Sequence, residues 1–422
     1  ADGNWTVALA DDVAARACLE LAEDPEAIVF LSSGDPSLAA DELILLHQLA
    51  QQAIARDLLH DKRVSFTVVT RGATPAADQA PAATGLGGYV RTLARECDRP
   101  IAHLDIETGQ PLTAETAAWV AECPQWSDHD RPYALYSGQL YQERIQERRE
   151  LPPPEEQFQE DGHYLLVGGN GTVGRQLSLA LARSKRARIT WVSRSELSQQ
   201  AEKVAREIRE AGGQFLHVRA DVADARAFEE AYQHSIEKMG PVHGILHLTM
   251  TRDIRRIPDL TVEDFRELLR GKIAGTDSVI ALMRQHPISF AVLFSTVDVP
   301  VGSAGWSAYT ASCSYQVGAA AEARVHGLNV SAINWGFWEG IDDSVASTLE
   351  AKGIGRLSVD QGLYVLNSVL GADLTGTLVP VADEPALRRM GFELLPAVAR
   401  RDKTRAIDNE EPSAGPAPRP QS

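Results

Sequence analysis

Short apolar runs alternate with stretches of helical spacing along most of this chain. Ala27 to Leu31 reads A-I-V-F-L and Val64 to Thr70 reads V-S-F-T-V-V-T, while apolar positions between Ser37 and Leu59 recur at helical intervals. Runs of this length fit buried strands, and their alternation with helices predicts an α/β unit from Trp5 to about Ile145. A second series runs from about Asp161 to about Arg400. Its strands are H-Y-L-L-V from His163, T-W-V-S-R (Thr190 to Arg194), F-L-H-V-R-A-D (Phe215 to Asp221), G-I-L-H-L (Gly244 to Leu248), F-A-V-L-F-S (Phe290 to Ser295) and V-S-A-I-N-W (Val330 to Trp335). Helical patterns separate them, among them Gln176 to Ala182, a stretch ending near Gly212 and one starting at Tyr309. Six strands alternating with helices predict a doubly wound parallel sheet.

Between the two series lies R-R-E-L-P-P-P-E-E-Q-F-Q (Arg148 to Gln159), whose three successive prolines bar a helix interior and mark a linker. From Asp402 to Ser422 the chain is rich in proline, charge and small polar residues, and is expected to be a disordered tether. The organisation expected is therefore 1–150, 151–400 and a flexible linker over 401–422. The opening A-D-G-N-W-T-V has neither a basic region nor an apolar core, so it is read as a cut inside a larger polypeptide rather than a leader.

The junction of the first strand and helix in the second series carries specific chemistry. Residues His163 to Gly174 read H-Y-L-L-V-G-G-N-G-T-V-G, a strand, then G-x-G-x-x-G, then a helix starting near Val173. Small residues at Gly169, Gly171 and Gly174 allow a tight turn, close phosphate approach and helix–strand packing, and the helix amino terminus offers unpaired N–H groups. This predicts a dinucleotide site. The first series has only a turn at Gly34 and Asp35 in the corresponding place, so it is expected to be structural.

Composition narrows the partners. The 422 residues, 44% of them hydrophobic, suffice for more than one cored domain. A net charge of −17 disfavours nucleic acid and anionic membrane as partners. Cys18, Cys97, Cys123 and Cys313 lack metal or disulfide spacing, which excludes an obvious metal site and points to a reducing, cytoplasmic setting. No apolar run has the length of a membrane span.

At the end of the second strand of this series, Ser193 and Arg194 stand where an NAD site usually has a carboxylate, and an arginine there suits a 2′-phosphate. Asp221 ends the third strand, placed either to meet the adenine edge or to cap the next helix. Three residues could serve ketone reduction: Tyr309 as proton donor, Thr296 as hydrogen-bond donor and Lys272 as the ammonium that lowers the phenol's pKa. Each alone also reads as a packed aromatic, a strand-end cap or a solvated lysine.

Taken together, these motifs resemble the ketoreductase domains of modular polyketide synthases, members of the short-chain dehydrogenase/reductase superfamily. The resemblance rests on Gly168 to Gly174, Ser193–Arg194, Lys272 to Gly275, Phe294–Ser295–Thr296, Tyr309 to Cys313 and Asn334–Trp335–Gly336 in the family's order. Tyr309 follows Lys272 by 37 residues and Thr296 by 13, which is the family's spacing. Leu86 to Cys97 and His103 to Glu107 resemble the family's structural subdomain. The resemblance implies a Rossmann-type catalytic subdomain preceded by a truncated Rossmann-like structural one. It implies NADPH as cofactor, held by Gly168, Gly169, Gly171, Thr172, Val173, Gly174, Ser193, Arg194, Asp221, Val222, Lys272, Tyr309, Trp335 and Gly336. Its implied substrate is a β-ketoacyl chain on the phosphopantetheine arm of an acyl carrier protein, with other synthase domains as neighbours and about Gly340 to Leu357 as a lid.

The sequence departs from the family at several positions. Thr296 replaces a serine, Cys313 replaces the asparagine four residues after the tyrosine, and H-L-T-M (His247 to Met250) replaces H-A-A-G. Arg252–Asp253–Ile254 lacks the second aspartate of L-D-D, and Val301 stands in place of a tryptophan, so neither stereochemical fingerprint is present. The missing aspartate leans toward the A-type product. Cys313 and H-L-T-M favour an alternative, a degenerate domain that does not reduce, whereas Tyr309 and Lys272 together favour a reductase.

Overall fold

The computed structural model describes residues 5–9 and 25–395, apart from 62, 74–80, 100, 109–112, 127–131, 144, 147–152, 251–252, 341–342, 373 and 393. The expected tether over 401–422 and residues 148–152 of the proline-rich linker lie outside the described residues.

The first unit comprises β1 (Trp5–Leu9), β2 (Ala27–Leu31), α1 (Ala39–Ala55), β3 (Ser65–Arg71), α2 (Pro81–Glu96), β4 (Ala102–Ile106), α3 (Ala114–Glu122), β5 (Tyr133–Tyr136), β6 (Gln139–Gln142) and β7 (Ile145–Gln146). Strands β1 to β5 pair in parallel and in chain order, and β6 closes the sheet as an antiparallel hairpin with β5. A sheet whose order never reverses has no switch point and hence no crevice at its carboxyl edge. The turn after β2 is filled from within: the buried Glu42 of α1 accepts from Ser33 N (2.7 Å), Ser33 Oγ (2.6 Å) and Ser32 Oγ (2.7 Å).

The second unit contains β8 (His163–Val167), α4 (Thr172–Lys185), β9 (Arg188–Ser193), α5 (Gln199–Glu210), β10 (Gln214–Arg219), α6 (Ala225–Met239), β11 (Gly244–His247), α7 (Val262–Gln285), β12 (Phe290–Thr296), α8 (Ser307–Val325), β13 (Val330–Trp335), α9 (Asp343–Ala351), α10 (Val359–Gly371), β14 (Thr377–Val379), α11 (Glu384–Arg389) and β15 (Leu394–Leu395). Its all-parallel sheet has the order β10-β9-β8-β11-β12-β13-β14, which reverses between β8 and β11. This is the doubly wound Rossmann-type arrangement. The seventh strand, β14, was not among the six expected, because three half-buried residues make no apolar run.

Strand alternation divides the core between the two sheet faces. Tyr164, Leu166, Leu246, Val292 and Phe294 face the α4 and α10 side, whereas Leu165, Ile245, Ala291 and Leu293 face α7 and α8. The latter core is continuous with Leu43, Leu46 and Tyr89 of the first unit. His47 of α1 stacks on Phe265 of α7 (4.2 Å between centroids), and its ring nitrogens meet Tyr89 Oη (3.0 Å) and Leu260 O (2.9 Å). Helix α2 lies directly on α8 because Gly88 has no side chain; a Cβ there would come within 2.2 Å of Ser314 Oγ. Helix α8, which carries Tyr309, is thus held from both sides. The short ribbon β7–β15 also joins the end of the first unit to the end of the second.

Candidate functional site

The carboxyl ends of β8, β9, β11 and β12 gather the residues singled out in the sequence. After β8 the chain turns at Gly168 (φ +79°), whose N–H bonds to Val192 O (2.9 Å), and the helix opens at Thr172, next to the expected start near Val173. A Cβ on Gly169 would lie 2.3 Å from the Trp191 ring, and one on Gly174 would lie 2.4 Å from Gly169 O. Glycine is therefore required for α4 to pack so closely on β9 and the loop. The N-cap is Gly171, which supplies no side-chain acceptor, and the first turn of α4 contains no acidic residue. Its N–H groups and positive dipole end are left for an anion.

Beside the loop, Ser193 Oγ lies 3.0 Å from His217 Nε2 and donates to Ser195 O (3.1 Å). Arg194 pairs with Glu267 (3.1 Å) with side chains 60% and 57% exposed, so this contact is worth only ~0–1 kcal/mol and yields readily to a better anion. A second guanidinium, overlooked in the sequence, belongs to the same corner: Arg219 Nε donates to Arg194 O (3.0 Å) and its Nη1 to Glu196 (3.1 Å). Asp221 accepts from Ala223 N (3.0 Å) and Arg270 Nη1 (2.7 Å). It does not cap α6; Asp224 does, accepting from Arg226 N and Ala227 N. Val222 is buried, with its Cγ1 2.8 Å from where a Cβ on Gly275 would stand.

Lys272 projects from the middle of α7, Tyr309 from the first turn of α8, and Thr296 ends β12. The buried Lys272 ammonium donates to Phe294 O (2.7 Å) and Gln316 Oε1 (2.9 Å), and lies 5.5 Å from the Tyr309 ring centroid. Tyr309 keeps partial solvent contact beside Trp306, but dense packing around its hydroxyl raises its pKa well above the ordinary phenol value. The Asp298 carboxylate pushes the same way, as does the contact with the Cys313 thiol. Burial likewise lowers Lys272 and raises Cys313.

Thr296 Oγ1 donates to Asp298 Oδ2 (3.0 Å), and Ser303 Oγ donates to Asp298 Oδ1 (2.6 Å). Ser295 points elsewhere, toward Cys313 O (3.1 Å), as strand alternation requires. Trp335 ends β13. Its buried indole stacks on Phe294 (5.3 Å) and meets Trp338 edge-on (4.9 Å), so the side chain belongs to the core; Gly336 N donates to Val379 O (3.1 Å).

Several residues that sequence reasoning missed shape this cluster. Gln316 follows Tyr309 and Cys313 at helical spacing on the same face of α8, which is the signal that would have found it. His247, ending β11, touches Gln316 Nε2 (3.2 Å) through Nδ1 and Thr249 Oγ1 (2.8 Å) through Nε2. From the first unit, Glu96 accepts from Ile257 N (2.8 Å) and Gly305 N (2.9 Å), tying together two loops beside Tyr309. Arg91 and Arg95 of α2 donate to Val299 O and Val301 O (3.2 Å each), so α2 braces the β12–α8 loop along its length.

With this geometry in place, comparison with known proteins is specific. The family described as KR domain matches residues 162–340. Polyketide synthase PksM of Bacillus subtilis is 23% identical over 341 residues, and polyketide synthase ThaG of Burkholderia thailandensis is 26% identical over 380, covering 75% and 86% of this chain. The chain spans only 8% and 7% of the length of those relatives. Among solved structures, an A1-type ketoreductase superimposes with a TM-score of 0.76 at 21% identity, over 87% of this chain and 80% of that one. Over residues 162–340 this chain is similar to the KR domain family, its sequence relatives are polyketide synthases, and it shares its fold with solved ketoreductases.

Proposed function

We propose that this chain reduces a β-ketoacyl thioester, carried on an acyl carrier protein, to the β-hydroxyacyl thioester with NADPH. The observation that carries the proposal is the convergence of Lys272, Tyr309 and Thr296 at the carboxyl edge of the sheet whose switch point holds the glycine loop. The second unit, about 151–400, does the chemistry in the cytoplasm, and the first, about 1–150, serves as its brace.

The residues present fit a dinucleotide. The open amino terminus of α4, with Gly168 to Gly174 around it, would hold the pyrophosphate through Thr172 and Val173 backbone donors. Arg194, backed by Arg219, would take a 2′-phosphate, and Asp221 and Val222 would border the adenine. When bound, the reduced nicotinamide supplies the hydride. Tyr309, its phenol raised and hence protonated at neutral pH, gives its proton to the substrate carbonyl oxygen. Thr296 donates a hydrogen bond to the same oxygen once its hydroxyl turns from Asp298. Lys272 keeps positive charge beside the phenol as the proton leaves.

A second reading is favoured by one specific contact. The Thr296 hydroxyl is already given to the Asp298 carboxylate, which suits a domain that keeps cofactor and fold without reducing. The deciding experiment follows absorbance of NADPH with a short β-ketoacyl thioester, for the native chain and Tyr309→Phe. Turnover that vanishes with phenylalanine supports the reductase. Tight NADPH binding without turnover on β-keto and α-keto thioesters supports the degenerate domain.

A further inference from the structure

Lys272 is fully enclosed, and the side chain at the fourth position after Tyr309, where the family resemblance has an amide, is the thiol of Cys313. A thiol is a weak acceptor and cannot compensate a buried ammonium, which needs strong acceptors for its three N–H groups. Two acceptors are supplied from elsewhere: Phe294 O at 2.7 Å and Gln316 Oε1 at 2.9 Å. The remaining contact is with the Cys313 thiol, which supports the ammonium only weakly against the lowering by burial.

Gln316 is itself locked. Its Nε2 lies 3.2 Å from His247 Nδ1 and 3.3 Å from Thr276 Oγ1, and it is fully buried. Because the amide nitrogen can only donate, His247 Nδ1 must accept, which leaves the His247 proton on Nε2 to be given to Thr249 Oγ1 at 2.8 Å. The assignment is consistent along the string, since Thr249 can then donate to Gly271 O (3.4 Å). Burial and the Lys272 charge push the His247 pKa down to about 3, so the ring stays neutral. If the amide were turned over, its nitrogen would face the ammonium, donor against donor, whichever tautomer His247 took. One orientation therefore satisfies every group.

Resting on the reductase reading, we infer that Gln316 is the positioning residue that holds the Lys272 ammonium beside Tyr309, oriented by His247, in a role the side chain at position 313 cannot fill. It touches neither substrate nor the reacting atoms. The string also ties Lys272 to the nucleotide loop, because the Thr249 backbone lies 3.2 Å from where a Cβ on Gly168 would stand.

The test uses the full chain with ¹⁵N-labelled lysine, the Lys272→Met variant assigning the Nζ resonance, and NADPH binding and turnover measured in parallel. In Gln316→Met the protected Lys272 Nζ signal is expected to disappear and kcat to fall about tenfold to a hundredfold, with a smaller change in substrate KM. Gln316→Glu keeps an acceptor for Lys272, so its Nζ signal should persist. Adding Cys313→Asn to Gln316→Met should restore part of both signal and kcat, which a loss of packing alone would not allow. The inference is overturned if Gln316→Met leaves the Nζ resonance and kcat within twofold of the native chain, or if Gln316→Glu loses the signal as Gln316→Met does. Should the native chain bind NADPH yet reduce nothing, the reductase reading fails by itself, and the Nζ signals still decide the role of Gln316.

Discussion

The same local event, a parallel strand running into a helix, is resolved in opposite ways in the two units. After β2 the loop donors are taken by Glu42 from within α1, a carboxylate that burial raises in pKa and that the serine hydrogen bonds pull back down. After β8 no carboxylate stands in the first turn of α4, and three glycines clear the approach to its amino terminus. One loop carries its own anion, and the other is built to receive one. The sheets differ in the same sense, one in monotonic strand order and one reversing between β8 and β11. A nucleotide site in an α/β unit calls for two separable features, a switch point and an unfilled helix terminus, and among the described residues of the first unit the strand order does not reverse and the turn after β2 is filled. What the first unit does instead is mechanical: Arg91, Arg95 and Glu96 of α2 fix the loops around Tyr309.

The contrast can be broken most severely at the glycine loop. Gly169→Val places carbon inside the Trp191 ring, and isothermal titration should show NADPH binding abolished while the first unit remains folded. Acid should act on both units. His103 of the first, and His163 and His247 of the second, are held neutral by burial, with pKa values pushed down to about 3, 4 and 3. In the unfolded chain they bind protons near the ordinary pKa of 6.5, so the unfolded state carries more protons throughout the window between. Stability is therefore full above about pH 6.5 and falls as pH drops toward 4, which denaturant titrations at several pH values would register.

Cutting the brace should cost less. Glu96→Ala orphans Ile257 N and Gly305 N, and kcat is expected to fall about tenfold with NADPH affinity unchanged, as steady-state kinetics would reveal. The smallest effect is expected at the rim of the cofactor site. Arg194→Ala should raise the KM for NADPH several-fold, up to about tenfold, and leave that for NADH nearly unaltered. Equal effects on both cofactors would remove the 2′-phosphate assignment.

Much of this was legible in the sequence, for identifiable reasons. Strands such as Leu165–Val167 and Ala291–Phe294 are buried on both faces, so they read as unbroken apolar runs. The glycine loop is local, and its steric demands are written in consecutive residues. β14 has three half-buried residues and β7 and β15 only two residues each, too short to leave a pattern. Long-range polar contacts leave none at all: nothing near Glu96 in the chain announces Ile257 or Gly305, and nothing near His247 announces Gln316.

The most direct test of the central claim, that the second unit is a working reductase site, is to supply NADPH deuterated at the transferable position with a β-ketoacyl thioester on a carrier protein. A hydroxyacyl product carrying a single deuterium at the new carbinol carbon is the predicted result. Recovery of unlabelled ketoacyl thioester, from a chain shown to bind both NADPH and the carrier, would contradict it.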